Sequence, residues 1–203
     1  NDVVIAGTGG GVFRSIDRGQ NWEGASQGLP NGEFGSLAPS INTLAVIGAK
    51  IFAGVDDCGL FVSDDLGRSW TEASSDLRDM TVKGLVRKGE KLFAATSEDG
   101  VFVSIDQGRH WKAAGEFFPE KKINSLAGIG DHLLAGTTNG IYLSTDEGQN
   151  WMASETVFTH LYARPFVVSG AKIFVGTNNG LLVSSDQGRS WTNLGFIETG
   201  AGY

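Results

Sequence analysis

A chain of 203 residues with 40% apolar content can bury a substantial core, and one domain of this size is ordinary for β architectures. The net charge of -7, with no local cluster of Lys or Arg to offset it, argues against nucleic acid or an anionic lipid surface as partner. No apolar run approaches the roughly 18 residues of a membrane span, and the lone Cys58 has no internal disulfide partner, which leaves the redox compartment open.

From the N-terminus, a short apolar run (VIAG from Val4) is followed by GVFR from Gly11 and then by the octapeptide SIDRGQNW, Ser15 to Trp22. The same three phrases recur in the same order, each time preceded by a fourth. INTLAVIG from Ile41, IFAG from Ile51 and GLFV from Gly59 lead into SDDLGRSW at Ser63. VKGLVRKG from Val82, LFAA from Leu92 and GVFV from Gly100 lead into SIDQGRHW at Ser104. INSLAGIG from Ile123, LLAG and GIYL lead into STDEGQNW at Ser144; ARPFVVSG from Ala163, IFVG and GLLV lead into SSDQGRSW at Ser184. The five tryptophans, Trp22, Trp70, Trp111, Trp151 and Trp191, are spaced by 48, 41, 40 and 40 residues. A period near 40 indicates propeller blades rather than the shorter helical repeats.

Runs rich in Val, Ile, Phe and Leu, bounded by Gly, Asn and Asp and lacking a 3.6-residue period, predict strands and almost no helix. The second and third strands of each period are apolar on consecutive residues, so both faces of each sheet are expected to be covered. The prediction is an all-β chain: a β-propeller of four-stranded antiparallel blades, about five of them, in one domain. The blades fall at 1–29, which lacks its first strand, and at 41–77, 82–116, 123–156 and 163–203. The chain starts in the second strand of one blade and stops where a further blade would start, so the expected reading is a piece of a longer propeller with an incomplete ring and an open edge available for further blades or self-association. Arg14 stands where Val62, Val103, Leu143 and Val183 stand in the other repeats, and such a charge supports that reading.

The octapeptides have a structural explanation. Asp in the third position can accept hydrogen bonds from N–H groups of the turn, Gly in the fifth can take a positive φ, and the Trp is expected to open the outer strand and bury its face beside a neighbouring blade. On these residues the chain resembles the Asp-box (BNR) repeat family, whose Ser-x-Asp-x-Gly-x-x-Trp pattern is matched in full five times. The matches are Ser15, Asp17, Gly19 and Trp22; Ser63, Asp65, Gly67 and Trp70; Ser104, Asp106, Gly108 and Trp111; Ser144, Asp146, Gly148 and Trp151; and Ser184, Asp186, Gly188 and Trp191. The resemblance implies a propeller. It spans sialidases, xyloglucan-active hydrolases, sortilin-type receptor domains and a photosystem assembly factor, so it implies no single function.

Chemistry is expected on the rim opposite the octapeptides, where the loops vary. Asp56, Asp57, Glu98 and Asp99 put four carboxylates there from two adjacent blades, either as solvated turn residues or as a site for a cation, a polar ligand or catalysis. Asn42, Lys83, Asn124 and Arg164 share the second position of the innermost strand and could form a polar ring at the channel mouth that binds an anionic or hydroxyl-rich ligand. The GTGGG at Gly7 precedes a strand, not a helix, and is not read as a phosphate loop. His110, His132 and His160 lack metal-ligand spacing, and neither a metal nor a cofactor is expected. A sialidase-like site would need an arginine triad that the sequence does not supply; its nearest phrase, Tyr-Ala-Arg-Pro at Tyr162, is in the wrong repeat. The expected function is a non-catalytic platform binding a protein or a glycan, secreted or periplasmic as the resemblance implies. The alternative is a glycoside hydrolase domain using the carboxylates above.

Overall fold

The computed structural model describes residues 3–31, 38–115, 122–156, 163, 165–178 and 180–195. Each repeat folds as an antiparallel meander, because short connections join strands that are consecutive in sequence. The first sheet has three strands, β1 (Val4–Thr8), β2 (Gly11–Ser15) and β3 (Glu23–Gly24). Four four-stranded sheets follow, each a blade. They are β4 (Ile41–Ile47), β5 (Lys50–Val55), β6 (Gly59–Ser63) and β7 (Thr71–Glu72); β8 (Val82–Lys88), β9 (Lys91–Thr96), β10 (Val101–Ser104) and β11 (Lys112–Ala113); β12 (Ile123–Ile129), β13 (His132–Thr137), β14 (Ile141–Ser144) and β15 (Met152–Ala153); and β16 (Phe166–Ser169), β17 (Lys172–Thr177), β18 (Gly180–Ser184) and β19 (Thr192–Asn193). Adjacent blades touch along their inner strands, β4 with β8 and β8 with β12. The architecture is a β-propeller.

Consecutive apolar residues in the middle strands supply both faces of each sheet, since successive side chains point to opposite sides. In the second blade, Ile51, Ala53 and Phe61 face the first blade and pack with Val12 and Ala25, while Phe52 and Leu60 face the third and pack with Leu85 and Trp111. The pattern repeats, giving four apolar clusters, one at each junction of successive blades. Among the described residues, no such cluster joins the fifth blade to the first.

The octapeptide builds the same turn five times. In the third blade the Ser104 hydroxyl donates to Asp106 Oδ1 (2.9 Å) and accepts the Gly108 N–H (2.9 Å), and Asp106 Oδ1 accepts the N–H of His110 (2.9 Å). The five serines are buried, so these bonds satisfy groups that water cannot reach. Gly188, at φ +90°, has Leu134 Cδ2 only 2.4 Å from where a Cβ would sit, so the last box accepts no side chain there. The residue before the glycine is also left-handed, at φ between +60° and +64°, in Arg18, Leu66, Gln107, Glu147 and Gln187, a feature the pattern does not announce.

Three expectations need correction. The outer strand begins one residue after the tryptophan, at Glu23, Thr71, Lys112, Met152 and Thr192; the Trp backbone N–H is instead used between blades, donating to Gln27 O from Trp70 and to Asp76 Oδ2 from Trp111. Four indoles are buried against the preceding blade, but Trp22 is 45% exposed, because no sheet of the described chain precedes the first blade. Arg14 does not mark a free edge: it is 5% exposed, donates from Nε to the Leu66 carbonyl (3.0 Å) and pairs with Glu23 (3.0 Å), tying the first blade to the turn of the second.

Two outcomes are expected. Ser104→Ala removes the acceptor of the buried Gly108 N–H and should lower stability by about 1–3 kcal/mol in urea denaturation. The Asn21 backbone N–H and side-chain amide hold Asp17 down from 3.8 to about 2; at Asp186 burial opposes the charge, but bonds from the Ser190 hydroxyl and N–H prevail and again give about 2. A carboxylate with a lowered native pKa stabilises the fold above its unfolded value and loses that contribution as pH falls through the native one. The melting temperature should therefore drop between pH 4 and pH 2, with a shallower drop in Asp17→Asn.

Candidate functional site

The two constellations expected on the rim meet in one network. Register shifts by one residue between Ile41 and Thr43, between Val82 and Gly84, and between Ile123 and Ser125, so Asn42, Lys83 and Asn124 are each the extra residue of a β-bulge in an inner strand. A bulge leaves its residue outside the ladder and re-aims its side chain. Lys83 Nζ donates to Asn42 Oδ1 (3.0 Å), Asn42 Nδ2 donates to Asp56 Oδ1 (3.0 Å), and Lys83 lies 3.4 Å from the same oxygen. Second-blade and third-blade groups thus share one polar cluster, in which Lys83 is mostly buried and Asp56 half-exposed. The Asn42 amide is the largest influence and holds the Asp56 carboxyl below the usual range; burial opposes it, and the Lys83 charge and hydrogen bond add to the lowering.

Beside this cluster, at the equivalent bulge of the adjacent inner strand, Asn124 Nδ2 is buried without a hydrogen-bond partner among the described residues. An amide donor enclosed without a partner costs stability unless a bound molecule or water satisfies it. Lys83 carries three donors, of which it directs bonds to Asn42 Oδ1 and Asp56 Oδ1, and Asn124 adds a further donor. Such an arrangement suits a ligand that is mainly acceptor, such as a carboxylate, a backbone carbonyl or a hydroxyl. Arg164, the fourth member of the expected ring, lies outside the described residues, as do Tyr162 and His160.

The four rim carboxylates have different partners. Asp57, left-handed at φ +49°, accepts the Thr81 hydroxyl at Oδ1 (2.5 Å), and its own N–H donates to Thr81 Oγ1 (3.0 Å), so it is a turn lock. Asp99 donates its N–H to Thr96 Oγ1 (3.0 Å), and Glu98 is exposed. Among the described residues, no hydrogen bond or ion pair joins Glu98 or Asp99 to Asp56 or Asp57, and no group of three or more His, Cys, Asp or Glu side chains could hold a metal ion. No described helix is long and apolar enough to cross a membrane. Sequence reasoning put Asp56 in one constellation and Asn42 and Lys83 in another; the bulge that unites them leaves no mark in composition. A polar residue behind the first apolar residue of three inner strands is the signal that was present.

These observations define a β-propeller with a polar cluster at the inner end of two blades. No protein-family model and no curated protein sequence matches the chain. Solved structures do. The extracellular domain of a hybrid two-component system of B. thetaiotaomicron is similar at TM-score 0.73 and 15% identity, over 96% of this chain and 26% of that one. The GH74 xyloglucanase of Xanthomonas campestris is similar at TM-score 0.68 and 19% identity, over 94% and 36%. YCF48 bound to D1 peptide is similar at TM-score 0.59 and 17% identity, over 90% and 60%. The chain spans less than two thirds of each of these proteins, and at such identities the likeness is one of fold.

Carboxyl carbon NMR titration checks the network: Asp56 should titrate below an ordinary aspartate, and Asn42→Ala and Lys83→Met should each raise its midpoint.

Proposed function

We propose that this chain is a non-catalytic propeller of the Asp-box type, a platform on which a protein segment binds at the cluster of Asn42, Lys83, Asp56 and Asn124. The carrying observation is the buried Asn124 amide, which has no partner among the described residues, beside a partly buried lysine and its paired carboxylate. An extended peptide offers a carbonyl at every residue and a carboxylate at its end, and it also has N–H groups for Asp56. That a propeller of this fold is known in complex with a peptide supports the reading, as the extracellular propeller among the similar structures supports placement outside the cytoplasm. A glycan is the second ligand class such donors suit.

The hydrolase alternative has GH74 likeness in its favour, but its acids are poorly placed. Asp57 is committed to Thr81, and Asp56 is held ionised by Asn42 and Lys83, which suits an ion pair and not a proton donor.

The test is a displayed-peptide library and a glycan array probed with the chain. Selected peptides should bind wild type and lose at least ten-fold in affinity with Lys83→Ala or Asn124→Leu. Turnover of aryl glycosides or xyloglucan that vanishes in Asp57→Asn or Glu98→Gln would overturn the reading in favour of the hydrolase.

A further inference from the structure

At the ends of the blades that carry the octapeptides, a cavity of about 170 Å³ lies between the second and third blades. Its apolar lining is Phe52 and Leu92, both 2% exposed, with Ile47 packed against the same cluster. Its polar lining is Lys50 from the second blade and Arg87, Glu90 and Gln107 from the third. Two cations therefore stand against one carboxylate. Arg87 is oriented by a bond from Nε to the Gly89 carbonyl (2.9 Å), but neither cation is closely neutralised. Lys50 Nζ lies 3.4 Å from Asp64 and Arg87 Nη2 lies 3.4 Å from Glu90, and both acids are exposed, so these pairs contribute little.

The next junction contains the group that this one lacks. Lys50 opens the second strand of its blade as Lys91 does in the third, and Gln107 precedes the octapeptide glycine as Glu147 does in the fourth. Gln107 and Glu147 share a left-handed backbone, at φ +64° and +60°. Between the third and fourth blades the Glu147 carboxylate accepts a bond from Lys91 Nζ, and that bond, together with the Lys91 charge, holds it below the ordinary glutamate range. Between the second and third blades the corresponding side chain is a neutral amide. The lysine is kept, and its carboxylate is not.

We propose that this cavity binds a small, free amphipathic carboxylate, an aromatic or branched-chain acid, with its carboxylate between Lys50 and Arg87 and its apolar body on Phe52, Leu92 and Ile47. The ligand's carboxylate takes the part that Glu147 plays at the next junction. The size agrees, since an apolar cavity of about 150 Å³ accommodates one benzene ring. Arg87 offers a planar fork and Lys50 a point charge, and one carboxylate satisfies both. Glu90 works against a second negative charge, so a monocarboxylate balances the lining. The site lies at the opposite ends of the blades from the cluster of Asn42 and Lys83 and does not depend on it.

The experiment is a titration of the chain with sodium benzoate, followed by the methyl NMR signals of Ile47 and Leu92. Both signals should shift and saturate, and the affinity should fall as salt is raised. Benzyl alcohol, which keeps the ring, and acetate, which keeps the charge, should each bind about ten-fold more weakly or worse. Lys50→Met should weaken benzoate binding by about two- to five-fold. Gln107→Glu should abolish it, because the variant installs the carboxylate that the fourth blade carries at the same backbone position, where the turn accepts glutamate. Circular dichroism establishes that both variants fold. A peptide ending in phenylalanine offers the same ring and carboxylate, so tighter binding of Gly-Gly-Phe than of benzoate would assign the cavity to a chain terminus and overturn the free acid. The absence of a saturable methyl shift overturns the proposal, as does equal binding of benzyl alcohol or benzoate binding that survives Gln107→Glu. Lys83→Ala should leave benzoate affinity unchanged, so failure of this reading can be told from failure of the peptide platform.

Discussion

The packing of one blade's tryptophan against the blade before it holds this molecule together. A two-residue outer strand cannot fix an indole by itself; the preceding turn does so. The buried serine hydroxyl, the aspartate and the two left-handed residues set the chain direction, after which the indole N–H of Trp111 donates to the Gly108 carbonyl (3.0 Å) and its ring enters the apolar cluster shared with the second blade. At Trp70 the indole N–H instead reaches the Ala25 carbonyl of the first blade (2.8 Å), so that this junction gains a direct bond between blades. Turn, ring and junction form one unit, and the structure is that unit used repeatedly.

This dependence explains why the fold could be read from residues alone. A strict octapeptide at a constant interval fixes where each third strand ends, and consecutive apolar residues such as Ile51, Phe52 and Ala53 require partners on both faces of their sheet. What stayed hidden depends on geometry that composition does not encode. Arg14 looked like a surface charge because its counterparts are aliphatic; only the position of the Leu66 carbonyl, 52 residues away, reveals the bond that permits its burial. The residue before the tryptophan was also passed over. Asn21, Ser69, Asn150 and Ser190 all bond the second oxygen of the turn aspartate, and the restriction to short polar side chains, with His110 the exception, was the available signal.

The polar cluster was half legible for a similar reason. Alignment of the repeats put Asn42, Lys83 and Asn124 at one position, and loop variability singled out Asp56, but the two groups come together only because an inner-strand bulge turns a side chain out of its ladder. Architecture and the polar cluster therefore draw on different residues: the octapeptides occupy one end of each blade, and the bulges and variable loops the other. Changes in the cluster leave in place the indoles that hold the blades.

A structure in which each sheet leans on its neighbours distributes resilience unevenly. Among the described residues, the second, third and fourth sheets take part in two apolar clusters each, whereas the first and the fifth take part in one. The guanidinium of Arg14 acts as a rivet at the first sheet, fastening it to the second by a hydrogen bond to the Leu66 carbonyl. Without it, amide exchange would spread inward from the amino-terminal sheet first, with the middle of the stack opening last.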